Sequence, residues 1–229
     1  MSYNTFSPII TDGLVLCLDA MNTKSYPGSG NTWSDLSKNL NNATLYSGAT
    51  FNSTIPQSIV FDGTNDYAEV SNSSSLNSSA GTISVWFKYT SVSGAFGASL
   101  IGKHDAGGSA NGYNILVQAD GNIYTQIKDN VSQTQLSTPG TYASNTWRNI
   151  VLTYSSGTSC AVYSNGQLIV SSSCITFTMT TSPLRMIDSL DTFWGIMNAN
   201  ISQVLIYNKV LSAAQILQNF NATKSKFGF

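Results

Sequence analysis

Short strand-like segments recur along the whole chain, separated by clusters of Gly, Asn and Ser. Residues 82–89 show the pattern most clearly and are predicted to form a central strand, because the apolar side chains at every second position from Ile83 to Tyr89 share one face. About ten such segments are predicted to be strands: 13–20, 58–61, 67–70, 82–89, 113–118, 123–127, 148–154, 159–164, 167–170 and 201–207. So many strands do not form one open sheet, and the pattern therefore predicts an all-β fold with either two packed sheets or a closed barrel.

Two local signals add detail to this prediction. Asn165 and Gly166 separate two predicted strands, and this pair favours a type I′ hairpin turn, in which both residues need a positive φ. Ser212 and Gln215 have the spacing of a capping box, and Phe220 lies on the apolar stripe that follows. We therefore expect one short helix near the C-terminus.

The chain has 229 residues, of which 41% are hydrophobic, and this is enough for one β-sandwich with its own core. We expect an N-terminal arm at residues 1–12 and a single domain at residues 13–229. The N-terminus lacks the basic and apolar regions of a signal peptide, and no apolar run has the length of a membrane span. The sequence thus predicts synthesis in the cytosol and no membrane insertion.

The surface is predicted to be neutral and rich in hydroxyl and amide groups. Only 9% of the residues are charged, against about 25% in an average soluble domain. The formal net charge is -1, and the Lys and Arg residues are scattered. A basic stripe that could neutralise phosphates is absent from the sequence, so we expect neither nucleic acid nor an anionic membrane as a partner.

The three cysteines are predicted to stay reduced. A two-residue turn at Asn165-Gly166 would place Cys160 opposite Ser171, three positions away from Cys174. Cys17 is far away in the sequence.

Seven short motifs follow one another in a fixed order. They are residues 58–63 (SIVFDG), 67–70 (YAEV), 82–87 (TISVWF), 100–103 (LIGK), 146–154 (TWRNIVLTY), 162–168 (VYSNGQL) and 204–212 (VLIYNKVLS). This ordered set resembles the concanavalin A-like, laminin-G-like superfamily of jelly rolls, which implies an all-β, two-sheet antiparallel sandwich here. The chain departs from the family by having Arg148 where a His is usual and Asn165 where an Asp is usual. These departures remove acidic groups at positions where some relatives hold calcium.

The N-terminal region contains a second group of motifs, at residues 12–16, 18–20, 25–30, 32–37 and 43–45. They resemble an element that precedes the same jelly roll in virion proteins of tailed phages and large viruses. The resemblance implies a non-enzymatic structural protein at the virion surface, made in the host cytoplasm, such as a capsid decoration, neck or tail-fibre component. Its partners would be other virion proteins and further copies of itself in a homo-oligomer. The alternative is a receptor-recognition module that binds host surface glycan.

No catalytic residues are predicted. Glucanases with this fold carry paired carboxylates on one strand, whereas Glu69 is the only Glu of the chain and Asp66 lies across a turn from it. His104 is the only His, and the sequence has no nucleophile motif with which it could form a triad. We therefore expect that the protein is not an enzyme.

For carbohydrate binding, the candidates are aromatic side chains of predicted loops together with neighbouring amides. Aromatic faces stack on sugar rings, while Asn side chains bind hydroxyl groups. The candidates are Trp33, Tyr113 and Trp194 with Asn111 and Asn198. The alternative is that these aromatic rings anchor loops onto the sandwich or become buried between subunits.

Asp62, Asn65 and Asp66 form an oxygen-rich segment that is a weak candidate for calcium. The favoured alternative is a tight turn that these side chains stabilise through hydrogen bonds to the backbone. No other metal and no organic cofactor are predicted.

Overall fold

The structure is a computed structural model that describes residues 7–106, 111–188, 190 and 193–229. Within these residues the chain forms sixteen strands and one α-helix. The strands are β1 Leu14–Asp19, β2 Thr32–Trp33, β3 Ala43–Tyr46, β4 Thr50–Asn52, β5 Ser58–Asp62, β6 Tyr67–Val70, β7 Ala80–Val92, β8 Ala98–His104, β9 Gly112–Val117, β10 Ile123–Lys128, β11 Gln133–Ser137, β12 Arg148–Ser155, β13 Ser159–Ser164, β14 Gln167–Ser172, β15 Leu184–Met186 and β16 Met197–Tyr207. The helix α1 is Ala213–Thr223, and short 3₁₀ helices lie at Ser74–Leu76 and Lys224–Phe227.

The strands form two antiparallel sheets that pack face to face. The back sheet has the order β14-β13-β12-β7-β16-β5-β4, with β1 also paired to β16. The front sheet has the order β11-β10-β9-β8-β15-β6-β3-β2. The predicted two-sheet antiparallel sandwich with one C-terminal helix is confirmed.

The alternation of side chains along β7 places the core between the sheets. Ile83, Val85 and Phe87 point inwards and are buried with side chains of the front sheet, including Leu100 and Ile115. The side chains between them point to the outer face of the back sheet. The alternation that predicted a central strand thus also determines which of its side chains enter the core between the two sheets.

The outer face of the back sheet is covered by the C-terminal helix and by the segment at residues 7–12. The capping box is confirmed, because the Gln215 amide donates to Ser212 Oγ and the Ser212 amide donates to Gln215 Oε1. The Tyr207 hydroxyl donates to the Ile10 carbonyl, and the Ile10 amide donates to the Asn219 side chain. The described part of the predicted arm therefore packs on its own domain, while residues 1–6 lie outside the described residues.

The hairpin between β13 and β14 contains the predicted turn, since φ is 49° at Asn165 and 80° at Gly166. However, a bulge between Val162 and Tyr163 shifts the register, so that Cys160 pairs with Ser172 and not with Ser171. The sequence-based register was wrong here because a bulge adds one residue to one strand without changing the turn.

No helix among the described residues combines the length and the apolar character that crossing a membrane requires.

Candidate functional site

The outer face of the front sheet carries a band of polar positions. The register aligns one position from each of seven strands in a row: Thr44, Glu69, Arg185, Gly102, Asn114, Gln126 and Gln135. The flanking side chains on these strands, such as Ala68 and Ile115, belong to the core. The row therefore points away from the core, and its members are mainly hydrogen-bonding groups.

Arg185 binds the neighbouring side chains in one half of this face. Its Nε lies 2.8 Å from Glu69 Oε2, and its Nη1 lies 2.8 Å from Asp188 Oδ2. Its guanidinium carbon is 4.6 Å from the centroid of the Tyr67 ring, which stacks on Tyr46 at 4.7 Å on a near-parallel plane. Burial disfavours the charged form of Arg185, but the hydrogen bond from Arg185 to Glu69 and the two carboxylate charges outweigh this effect and raise its pKa. The guanidinium thus fixes both Tyr67 and Asp188.

A cleft of about 300 Å³ lies beside this cluster, at the end of the front sheet where β6 begins. We call it the Tyr67 cleft, and its lining residues are Ser47, Asn65, Asp66, Tyr67, Asp188 and Ile196. The volume is at the lower end of the range of small-molecule sites. The lining combines the Tyr67 side chain, an amide, a hydroxyl and two carboxyl groups, which can form hydrogen bonds with sugar hydroxyls.

The turn before β6 supplies two of these residues. The Thr64 amide donates to Asp62 Oδ1 at 2.7 Å, and the Asp62 amide donates to Asp66 Oδ2 at 3.0 Å. Burial raises the pKa of the Asp66 carboxyl, the hydrogen bond from Asp62 opposes this shift, and the Asp62 charge adds to it. These are the contacts of the tight turn that the sequence favoured. In the part of the chain that the structure describes, no three His, Cys, Asp or Glu side chains are grouped as a metal site.

A second, much smaller cavity lies under Trp194. Its lining residues are His104, Gly112, Tyr113, Asn114, Gln126, Lys128 and Trp194. The Ser99 hydroxyl donates to Asn114 Oδ1 at 2.7 Å, and Asn114 Nδ2 lies 3.4 Å from His104 Nε2. The cavity has a volume of only about 10 Å³, roughly the space for one water molecule. A sugar ring therefore does not fit beneath Trp194 in this conformation.

The predicted carbohydrate-binding residues do not form one site. Trp33 is fully buried in the core, and only 2% of Tyr113 is exposed, with its ring packed against Tyr154. Both residues lie in strands, and their rings point inwards. The rings therefore have no free face on which a sugar could stack. Asn111 donates to Asp105 where β8 ends and β9 begins, and Trp194 lines the small cavity.

Asn198 lies near the Tyr67 cleft, on the back sheet. Its side-chain amide donates to the Asp62 carbonyl at 3.1 Å, and it follows Ile196 of the cleft by two residues. It therefore supports the turn that carries Asn65 and Asp66.

An exposed aromatic cluster stands next to the cleft, and the sequence did not reveal it. The Phe96 and Phe193 rings stack at 4.9 Å, and Trp194 meets Phe193 edge-on at 5.0 Å. More than half of the surface of Phe96 and Phe193 is exposed. Hydrogen bonds hold the two loops together, including one from the Gly195 amide to the Gly97 carbonyl at 2.9 Å.

Lys103 is a buried charge at the other end of the front sheet. It is fully buried, and its Nζ donates to Asn72 Oδ1 at 2.8 Å and to the Ser182 carbonyl at 2.5 Å. Burial lowers its pKa from 10.5 to about 8, although the nearby Asp105 charge acts in the opposite direction. The Lys103 side chain is therefore charged in the folded protein at pH 7 and uncharged at high pH.

Lys103 should make stability depend on pH. Between about pH 8 and 10.5 the unfolded chain retains a proton that the folded chain has lost, so the free energy of unfolding should rise with pH. The slope from this group should reach at most about 1.4 kcal/mol per pH unit. Urea unfolding of the wild type and of Lys103→Met across this pH range measures the slope of the free energy of unfolding against pH in each protein. The other titrating groups contribute equally to both slopes, so the difference between the slopes reports Lys103. Equal slopes in both proteins would show that Lys103 keeps an ordinary pKa.

The sandwich with its polar front face has the architecture of concanavalin A-like lectin and glucanase domains. The model of the Laminin_G_3 family, described as concanavalin A-like lectin/glucanases superfamily, matches residues 62–217. The chain belongs to this family. The search of curated proteins found no match.

Solved structures share the fold at low sequence identity. The binding domain of Paraclostridial Mosquitocidal Protein 1 has a TM-score of 0.72 and 20% identity, over 92% of this chain and 52% of that chain. Botulinum neurotoxin type C, whose cell entry depends upon interaction with two ganglioside molecules, has a TM-score of 0.71 and 18% identity, over 93% and 52%. Trypanosoma rangeli sialidase in complex with sialic acid has a TM-score of 0.71 and 15% identity, over 97% and 35%. The chain therefore spans about half or less of the length of these proteins.

Proposed function

We propose that this chain is a non-enzymatic glycan-binding module that holds a sugar in the Tyr67 cleft. The observation that carries this proposal is the cleft itself, in which Asn65, Asp188 and the ring of Tyr67 converge within about 300 Å³. Structural similarity to a neurotoxin that interacts with gangliosides and to a sialidase bound to sialic acid supports a glycan as the general kind of ligand, although those two sugars are acidic. The identities lie below 25%, so the ligand itself is argued from this chain alone.

The cleft is prepared for binding because its polar groups are already held in place. Arg185 binds Asp188 and packs against Tyr67, while Glu69 holds Arg185 from the other side. Little side-chain freedom is then lost when a ligand binds, which favours affinity for a weakly interacting ligand such as a sugar. The exposed amide of Asn65 can both donate to and accept from a hydroxyl pair.

The charge of the cleft favours an uncharged sugar. Asp66 and Asp188 line it, and among the described residues that line it none is cationic. The nearby Arg185 is already paired with two carboxylates. A carboxylate on the ligand would meet unfavourable charge, whereas hydroxyl groups can donate to Asp188.

The absence of catalysis is supported by the same contacts. Glu69 is held by Arg185, and retaining or inverting hydrolysis needs a second carboxyl group that can act as a proton donor across the scissile bond. Asp188 is bound by the same guanidinium, and Asp66 accepts the Asp62 amide within the turn before β6.

A glycan array followed by titration calorimetry tests the proposal. We expect neutral oligosaccharides to bind, and Asn65→Ala and Asp188→Asn each to weaken binding about tenfold, because each removes or weakens one hydrogen bond worth about 1.4 kcal/mol. Asn39→Ala is the matched control, since Asn39 lines a different groove, next to β1. It should bind like the wild type.

Three outcomes would contradict the proposal. The first is that no glycan on the array binds. The second is that Asn65→Ala and Asp188→Asn bind the oligosaccharide as tightly as Asn39→Ala does. The third is that the bound oligosaccharide releases reducing sugar. The last outcome would show catalysis.

Attachment to a virion stays a prediction that rests on the N-terminal resemblance. One observation favours it as a second function: a groove of about 620 Å³ runs between residues 11–15 and residues 36–39, within the region of that resemblance. Leu36, at its edge, and Leu40 are exposed apolar side chains that another virion protein or a second copy of the chain could cover. Electron microscopy of purified particles would show whether the chain is part of them.

A further inference from the structure

Two cysteines of the back sheet lie close together in the core. Cys160 is opposite Ser172, and the ladder continues past the end of β14, because the Cys174 amide donates to the Thr158 carbonyl at 3.4 Å. Cys174 is therefore opposite Thr158 and diagonally adjacent to Cys160. Both side chains belong to the buried core between the sheets.

The two thiols are neighbours in the core. Cys160 Sγ lies 3.7 Å from the carbonyl of Ser173, the residue before Cys174, and the interaction between the two thiols raises the pKa of Cys160 and lowers the pKa of Cys174. The bulge at Val162 and Tyr163 brings the two cysteines to neighbouring positions, since it places Cys174 two positions from the partner of Cys160 and not three. Two positions along a strand bring side chains to the same face.

Cys17 has a different environment. It packs with Leu205 and Tyr207 on the outer side of the back sheet, so the sheet itself separates it from the other two cysteines. Burial, with the charges of Asp19 and Asp35, raises the pKa of Cys17 to about 12. It is therefore an unreactive thiol and an internal control.

We propose that Cys160 and Cys174 are a cross-linking site and form an intramolecular disulfide when the chain folds in an oxidising medium. The oxidant is a low-molecular-weight disulfide such as oxidised glutathione. One cysteine thiolate attacks a sulfur of the oxidant, releases one thiolate and forms a mixed disulfide. The second cysteine then attacks the sulfur of the first, forms the Cys160–Cys174 bond and releases the second thiolate. The two cysteines lose two electrons and two protons, and the oxidant becomes two thiols.

The cross-link forms during folding and not in the native protein. Only 1% of Cys160 and 6% of Cys174 is exposed, so an external disulfide reaches them only before the core closes. The bond would fix the start of the segment at residues 173–183, which crosses from the back sheet to the front sheet. This segment also carries Thr180 and Ser182, whose hydroxyls bind Asp105.

Refolding in a mixture of reduced and oxidised glutathione tests the proposal. The refolded protein is then denatured in the presence of iodoacetamide, so that every free thiol, including the buried ones, is blocked, and peptide mass spectrometry locates the modified cysteines. We expect Cys17 to be alkylated and the peptides of Cys160 and Cys174 to be linked through a bond that dithiothreitol removes. The oxidised protein should melt on the order of 5–10 °C above the reduced protein.

Two variants sharpen the result. Cys174→Ser should leave Cys160 alkylated, whereas Cys17→Ser, the matched control, should still form the link. Alkylation of all three cysteines in wild-type protein refolded in the redox mixture would overturn the proposal, and so would a link that involves Cys17. A lower melting temperature for the linked protein would overturn it as well. The comparison of oxidised with reduced wild type does not depend on either variant folding.

Discussion

Replacing Trp86 with alanine should lower the free energy of unfolding by about 3–5 kcal/mol. Only 1% of this side chain is exposed, although it points to the outer face of the back sheet. Its ring stacks on Phe227 at 3.9 Å and on Phe220 at 5.7 Å, and its Nε1 donates to Thr223 Oγ1 at 3.0 Å. The substitution therefore removes the surface on which the C-terminal helix and the residues after it pack.

Urea unfolding followed by circular dichroism measures this effect. Phe229→Ala is the matched control, because Phe229 belongs to the same aromatic cluster but is 49% exposed. We expect the control to lose less than about 1 kcal/mol. Similar losses for both variants would mean that the cluster does not attach the helix through Trp86.

Replacing Asp35 with alanine should have an effect of similar size, about 3–4 kcal/mol. The Asp35 carboxylate accepts the backbone amides of Cys17, Ser37 and Asn41 at 2.8 Å each, and the Ser37 hydroxyl at 2.6 Å. Asp35 is buried, so the substitution leaves several donors without an acceptor in a place that water does not reach. The loop between β2 and β3 should then detach from β1.

Thermal unfolding and hydrogen exchange together check this prediction. Exchange should accelerate at the amides of Cys17 and Asn41 and remain slow in the hairpin of β13 and β14. Asp12→Ala is the control, because the Asp12 side chain is 86% exposed where it pairs with Lys209. We expect this control to change the stability by less than about 1 kcal/mol. An Asp35→Ala protein as stable as Asp12→Ala would contradict the role of Asp35 as the centre of this loop.

Much of the fold was predictable because strands such as β7 have an apolar side chain at every second position of the sequence. The capping box gave the start of α1, and the Asn-Gly pair gave the hairpin turn. The strands that alternation missed have other patterns. All seven residues of β8 are buried although it includes Lys103 and His104, and β11 consists mostly of polar residues. Their pairing depends on neighbouring strands and not on a local period.

The site was less predictable. Sequence patterns identified Asn65 and Asp66 as a polar turn, but they could not show that Tyr67 and Asp188 complete a cleft there. The pairing of Glu69 with Arg185 spans 116 residues, and only the sheet register brings the two side chains together. Loop and strand aromatics look alike in a sequence, so Trp33 could not be distinguished from an exposed ring. A one-residue bulge likewise concealed that Cys160 and Cys174 occupy neighbouring positions on the same face.

The central claim is that a neutral glycan binds in the Tyr67 cleft, and a crystal structure of the complex with the best-binding oligosaccharide tests it most directly. We expect a sugar ring inside the cleft, with its hydroxyl groups within hydrogen-bond distance of Asn65 and Asp188. Arg185 should remain bound to the carboxylates of Glu69 and Asp188. A sugar bound over Trp194 or in the groove beside Asn39, with the Tyr67 cleft empty, would contradict the claim.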